Sequence, residues 1–396
     1  MTRNKYTDFD DRLHGSDEED LNDDVKLCAK MLKDAYKNKN FNLIDEIITD
    51  MVSKSSIDGL TKLHSAAGYG FSELVEKYLK VDKVDPNSEC LFNQLGSITP
   101  MHFCAGIGPD EITTDRPKCV ELLKKYGANV NKCTTHLDTP LHWAAKISNK
   151  EICEKFIKCG ADLTVINLDS CTCAHGAAFY KNLSVLELLI DNKIDVLITD
   201  STGKTILHLL CKDSLEPTSL VSMTEFTANS YPASLKNDSR GIDWDTKASK
   251  LTNKKMNSQL IDIITQLIVK YKMNPNEKDN VGFTAFMYAC EYGNIELINL
   301  LIKHGADVNM FSDEGITCML LAIVNANVNV VKCLLKNGFN LKTKSIQSSY
   351  LTDAAYLNDL DIVNVLIEAG ADVNETREDE NGAILNPLWA GKVLFI

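Results

Sequence analysis

No long apolar run exists in this sequence. The longest, Leu260 to Val269, is interrupted by Asp262, Thr265 and Gln266, whereas a helix that crosses a bilayer needs about 20 consecutive apolar residues. The first residues are acidic and carry no apolar signal core, so no secretory leader is expected. A basic excess is also lacking: 42 Lys and Arg face 55 Asp and Glu, a net charge of −13. General nucleic-acid binders need a basic stripe to neutralise phosphates, so that class is set aside. A regular disulfide framework is missing as well. The 13 cysteines are odd in number, and many fill small-residue positions, such as Cys104, Cys211 and Cys290. That usage fits a reducing compartment, where free cysteine behaves as a small buried hydrophobe.

What is present is a repeat. Thr139-Pro140-Leu141-His142-Trp143-Ala144-Ala145 is its fullest copy. The threonine recurs at Thr172 and Thr205 in steps of 33 residues, and again at Thr284 and Thr317, also 33 apart. Earlier copies start at Thr61 and Thr99, with steps of 38 and 40 that place extra residues near Asp85–Leu95 and in Gly108–Arg116. An eighth copy aligns Tyr350 with the threonine and Ala355 with Ala322, and a ninth starts at Asn386-Pro387-Leu388-Trp389. A fixed period of this size predicts stacked helix pairs rather than one globular core.

Each motif residue has a physical task. Thr139 can cap a helix by accepting from an otherwise orphan amide. Pro140 suits the first helical turn, where its missing N–H costs nothing. Ala144 and Ala145 let neighbouring helices approach closely. A second helix follows with Ile152, Phe156 and Ile157 at helical spacing, and Gly160 ends it. The same ending recurs as Gly127-Ala128-Asn129-Val130-Asn131, Gly305-Ala306-Asp307-Val308-Asn309 and Gly370-Ala371-Asp372-Val373-Asn374.

On these residues the chain resembles the ankyrin-repeat family from about Ser56 onward, the long insertion excluded. The resemblance implies an all-α ankyrin-repeat solenoid of helix–turn–helix units, hairpin-like loops projecting from it, and ligand binding by the inner helices and loop tips. It also implies that His64, His102, His142, His175 and His208, which fill the motif's histidine slot, make structural hydrogen bonds between neighbouring turns. The fourth copy departs by carrying Cys173 for proline and by lacking the glycine after its inner helix; the seventh and eighth lack the histidine. The expected organisation is an acidic, disordered tail over 1–24, with nine acidic and three basic side chains. A degenerate capping repeat over 25–55 and a first repeat block over 56–211 follow. A disordered insertion is expected over 212–259, then a second block over 260–396 with an incomplete last repeat. The apolar ending Val393–Ile396 favours a sequence that continues in a longer protein.

The candidate partner-binding residues follow the Ala-Ala pair on the inner helices: Tyr69, Ile107, Lys146, Phe179, Tyr180, Glu291, Tyr292 and Val324. Turn-tip residues His136, Asp138, Leu168, Asp169, Asp200 and Lys204 are their companions. Aromatic residues are typical interface anchors, which singles out Phe179 and Tyr180. Ser16 lies before Asp17-Glu18-Glu19, a context for an acidophilic kinase. By the resemblance, Asn309 and Asn374 stand where ankyrin asparagines become hydroxylated. No catalytic, metal or cofactor residue is assigned. Cys171-x-Cys173-x-His175 is spaced too tightly for a zinc knuckle. Gly203-Lys204-Thr205 lacks the glycine that a phosphate loop needs, since position 198 is Ile198.

The function expected is therefore a non-enzymatic, monomeric scaffold or adaptor of the cytoplasm and nucleus that binds partner proteins. It neither takes up nucleic acid nor inserts in membranes. The alternatives are an arm of a larger channel, kinase or ubiquitin-ligase adaptor, and an inhibitor of a Rel-type transcription factor. The paired-serine degradation signal of such inhibitors is not visible in residues 1–24.

Overall fold

The computed structural model describes residues 30–55, 57–92, 96–106, 115–147, 149–212, 249–343, 349–374, 377–378 and 384–385. The expectations for residues 1–24, Ser16, Ile107, the 213–248 part of the insertion and the ninth copy at Asn386 lie outside these. The chain divides into two compact units, one of residues 1–195 with 227–241 and one of 196–226 with 242–396.

In the first unit the helix pairs are 30–37 with Phe41–Lys54, Lys62–Tyr69 with Ser72–Lys80, and Pro100–Cys104 with Arg116–Lys125. Pro140–Ile147 with Lys150–Lys158 and Cys173–Phe179 with Leu183–Asp191 complete it. From Lys62–Tyr69 onward, each inner helix packs on the next inner helix, and outer on outer. The inner layer is narrow because its contact residues are small: Ala66, Ala67, Ala144, Ala145, Ala177 and Ala178 are all fully buried. In the second unit the pairs are Ile206–Cys211 with Ser249–Val269, Ala285–Glu291 with Ile295–Lys303, Cys318–Val324 with Val328–Lys336, and Tyr350–Tyr356 with Leu360–Glu368. The long helix begins at Ser249, so residues 249–259 of the expected insertion are helical. It buries Leu260, Ile263, Ile264 and Leu267 as an outer helix should. No helix among the described residues is long and apolar enough to cross a membrane.

The threonine motif builds a joint. In the third repeat Thr139 Oγ1 accepts from His142 N, while His142 Nδ1 accepts from Thr139 N at 3.2 Å. The other ring nitrogen of His142 reaches the carbonyl of Cys171 in the next turn, at 3.2 Å. His64 reaches Ser88 O, His102 reaches Asp138 O, and in the second unit His208 reaches the carbonyls of Glu277 and Phe283. The slot then changes: it holds Met287 in the sixth repeat as well as Leu320 and Thr352 in the seventh and eighth. Thr284 and Thr317 still cap their helices, accepting from Met287 N and Leu320 N.

Between motifs the chain makes one five-residue turn repeatedly. Its first residue carries a side-chain acceptor that takes amides two and four positions on, as Asn167 does from Asp169 and Cys171 and Asp279 from Val281 and Phe283. Its fourth residue needs a positive φ, supplied by Gly203, Gly282 and Gly315 but also by Leu137 and Ser170. Neighbouring turns are stitched by main-chain bonds, Leu91 N to Asp58 O and Leu168 N to His136 O in the first unit, Asn280 N to Thr202 O in the second.

One sequence alignment is corrected. The cap of the eighth inner helix is Ser349, and Tyr350 is its first helical residue. The step from Thr317 is thus 32, Ala354 rather than Ala355 matches Ala322, and Asn358 matches Ala326 in its positive φ. The connection from Gly338 to Ser349 is one residue shorter than that from Gly305 to Thr317. Tyr350 uses its new position to hold the preceding cap: its phenol lies 3.0 Å from Thr317 Oγ1 and donates to Thr343 O at 2.7 Å.

Two tests follow. Burial pushes the imidazoles of His64, His102 and His142 down to about 4. The folded chain therefore binds fewer protons than the unfolded chain, whose histidines titrate near ~6.5. Stability from these groups is complete above that value and is lost as pH falls from there towards 4, by ~1.4 kcal/mol per unit of depression for each histidine. Thermal unfolding between pH 7.5 and 4.5 should show this steep loss. Ala326 is exposed at φ 52, where the sixth repeat has Gly293. Ala326→Gly should raise stability by about 1 kcal/mol in urea unfolding, because glycine meets no Cβ clash there.

Candidate protein-binding face

In the first unit, the inner-helix and turn-tip candidates meet around Asp138. Its carboxylate is buried; Oδ2 accepts from Trp143 Nε1 and from Lys146 Nζ, each at 3.3 Å, and Oδ1 accepts from Asn167 Nδ2 of the next turn at 2.9 Å. Burial alone would raise the Asp138 carboxyl, but Lys146, His142 and the Asn167 bond outweigh it and hold it below the usual range. Lys146 is buried with it, its side chain 9 % exposed. The stem of Lys146 lies across Gly176, where an added Cβ would come 2.9 Å from Lys146 Cγ. A larger residue at 176 would displace the lysine from its partner. Asp138 and Lys146 thus brace the face from beneath rather than forming its surface.

The candidates also include exposed apolar and aromatic side chains. Phe179 and Tyr180 meet edge to face, with ring centroids 5.1 Å apart. Tyr180 is 37 % exposed, Leu168 61 % and Leu137 43 %. Burial, with the Asp138 charge second, pushes the Tyr180 phenol up to about 12, so it stays a neutral hydrogen-bonding group at physiological pH. His136 and Asp169 are half-buried in the stitched turns. Tyr69 is half-buried too, its ring 5.8 Å from that of Phe71.

The second unit repeats this plan with other residues. Asp279 is buried; its Oδ2 accepts from Tyr288 OH at 2.8 Å and lies 3.5 Å from Lys204 Nζ of the preceding turn. Lys204 also donates to Thr202 Oγ1, so its ammonium is engaged within the turns rather than poised for a phosphate. Asp200 is buried and organises its own turn by accepting from Thr202 and Lys204 amides. Glu291 is buried, while Tyr292 and Val324 are half-buried. Lys212 joins this cluster, with its ammonium 5.9 Å from the Tyr288 ring; burial, then the Lys204 charge, lowers its pKa.

The candidates therefore fall in two sets, one in each unit. Sequence reasoning missed Trp143, Asn167, Tyr288, Asp279 and Lys212. The signal was available for the aromatics: Trp143 and Tyr288 both occupy the variable position of the motif, four residues after the capping threonine. Asn309 accepts from Asn340 N at 2.8 Å, bridging two repeats, while Asn374 is exposed.

These units of capped inner helix, outer helix and stitched turn define an ankyrin-repeat solenoid. A family model described as ankyrin repeats in three copies matches residues 63–167 and 141–218. One of ankyrin repeats in many copies matches 286–335, and one of a single ankyrin repeat matches 350–378. Together they take in more than half of the sequence, and the chain belongs to the ankyrin-repeat family. It is 27% identical over 121 residues to a fowlpox virus chain named as an ankyrin repeat protein, covering 31% of this chain and 18% of that one. It is 29% identical over 166 residues to the nuclear factor NF-kappa-B p105 subunit of Gallus gallus, covering 40% and 16% respectively. It is 26% identical over 162 residues to a transient receptor potential cation channel subfamily A member 1 homolog of Caenorhabditis elegans, covering 41% and 12%. The chain thus spans less than a fifth of the length of each of these relatives.

The brace can be tested directly. Asp138→Ala leaves Lys146 buried without its partner carboxylate, so it should lower stability by about 3 kcal/mol. Urea unfolding measures it, and Asp138→Ala/Lys146→Met should recover part of the loss.

Proposed function

We propose that the chain is a non-enzymatic scaffold or adaptor that captures a partner protein on its inner-helix and turn-tip face. In the first unit the contact centres on Phe179 and Tyr180 of the inner helix, with Leu168 and Leu137 exposed at the turn tips. The observation that carries this reading is that Tyr180, Leu168 and Leu137 stay exposed while Asp138 and Lys146 are paired and buried. Ring stacking and the brace hold the side chains in place, so a partner pays little ordering entropy, and its apolar side chains remove this surface from water. Protein binding is the usual role of ankyrin repeats, and the p105 and channel relatives each match over a small share of their own length, which supports a shared scaffold rather than a shared activity.

Capture from native lysate with the full chain, in parallel with Phe179→Ala/Tyr180→Ala, tests the reading. Loss of an anchor costs ~2 kcal/mol or more, roughly a 30-fold drop in affinity. The double variant should lose its partner while unfolding near the wild-type temperature. Equal capture by both proteins would remove the face from the binding function.

A further inference from the structure

The second unit carries an aromatic side chain that its own repeats leave uncovered. Among the described residues only two large exposed hydrophobic side chains are aromatic, Tyr180 and Phe311, and Phe311 is the more open at 52 %. Phe311 stands six positions before the capping Thr317, where the sixth repeat has Lys278 before Thr284. Its backbone is held, because Phe311 pairs with Thr317 across the turn as Lys278 pairs with Thr284. Its ring is held as well. The Lys278 ammonium lies 5.4 Å from the ring centroid and 3.3 Å from Asp313 Oδ1. A cation over the ring, itself fixed by a carboxylate, orients the phenyl group without covering it. Asp313 N in turn donates to Val281 O at 3.3 Å, and Gly282 permits this approach, since an added Cβ there would strike Asp313. Met310 and Val281, in the same two stitched turns, are half-buried.

Charge on this surface is one-sided. Glu277, Asp307, Asp313 and Glu314 are all exposed, against Lys278 and, in the next connection, Lys342. Lys278 is already engaged by Asp313 and the ring. Excess carboxylates repel the phosphates of nucleic acid and of anionic lipid, and they attract a positively charged chain. We propose that Phe311 and these carboxylates dock a basic segment of a partner protein. The stem of an arginine or lysine packs on the ring, and its charged head meets the carboxylates. Long basic side chains suit such a place, because their stems remove apolar surface from water while their heads keep polar contacts. The stitched turns hold the ring in position before the partner arrives, so little order has to be created on binding. Phe179 and Tyr180 of the first unit take no part in this docking.

Short random peptides displayed on phage, selected on the full chain and counter-selected on Phe311→Ser, test this. The peptides removed by the counter-selection should be rich in arginine and lysine. In fluorescence anisotropy, synthetic copies of them should bind Phe311→Ser about tenfold more weakly than the wild-type chain. They should bind Tyr180→Ala as tightly as the wild type, and weaken as ionic strength rises. Glu277→Lys/Glu314→Lys leaves the ring in place and should weaken the same peptides by a similar factor; where Phe311→Ser does not fold, this variant replaces it in both steps. Removed peptides without a positive excess would overturn the docking site. A selection in which no peptide distinguishes the wild-type chain from the variants would overturn it as well.

Discussion

The bond from the motif histidine to the next turn is the interaction on which the first four joints of known geometry depend. A single helix pair of this size buries too little apolar surface to hold itself together, so order must come from the neighbour. The imidazole meets that need with two acceptor or donor sites at a fixed separation. One side closes the helix cap through Thr139, and the other satisfies a buried turn carbonyl of the adjacent repeat, as His142 does with Cys171. Burial keeps the ring neutral, which is the state in which one nitrogen accepts and the other donates. Local capping and assembly between repeats are thereby one hydrogen-bonded object.

Where the histidine is absent, the second unit substitutes other chemistry. The sixth and seventh repeats fill the slot with Met287 and Leu320, both simple hydrophobes that need no polar partner. At the seventh cap, Tyr350 of the following repeat supplies the missing link by reaching Thr317. The eighth repeat is the least resolved of these compromises: Ser349 Oγ and Thr352 Oγ1 are buried without hydrogen-bond partners among the described residues. Such groups lose their water without compensation, which weakens that end of the stack.

The candidate face obeys the same economy of buried polar groups. Asp138 and Asp279 sit at different places in their turns, yet both end with an aromatic N–H or O–H and a lysine ammonium on one carboxylate. Each also spans two turns, through Asn167 in one unit and Lys204 in the other. The polar atoms are consumed internally, and what remains outward in the first unit is the apolar group of Tyr180, Phe179, Leu168 and Leu137. Gly176 matters for the same reason, because its missing side chain is the space that Lys146 occupies.

Period, helix pairing, caps and reversal points were legible in the sequence, because each is set by residues within a few positions of one another. Thr139, Pro140, Ala144 and Gly160 act on their own backbone, and local sterics and hydrogen bonding do not need the rest of the molecule. The inward turn of Asp138, Lys204 and Glu291 was not legible, since a charged turn residue looks exposed until the neighbouring repeat brings its partner. The one-residue slip at Ser349 was hidden likewise, because helix start depends on which residue the shortened connection places against Thr317. Sequence by itself determined the repeating unit. Tertiary structure decided which of its side chains stay exposed and which are spent between repeats, because burial and pairing are properties of two neighbours, not of one.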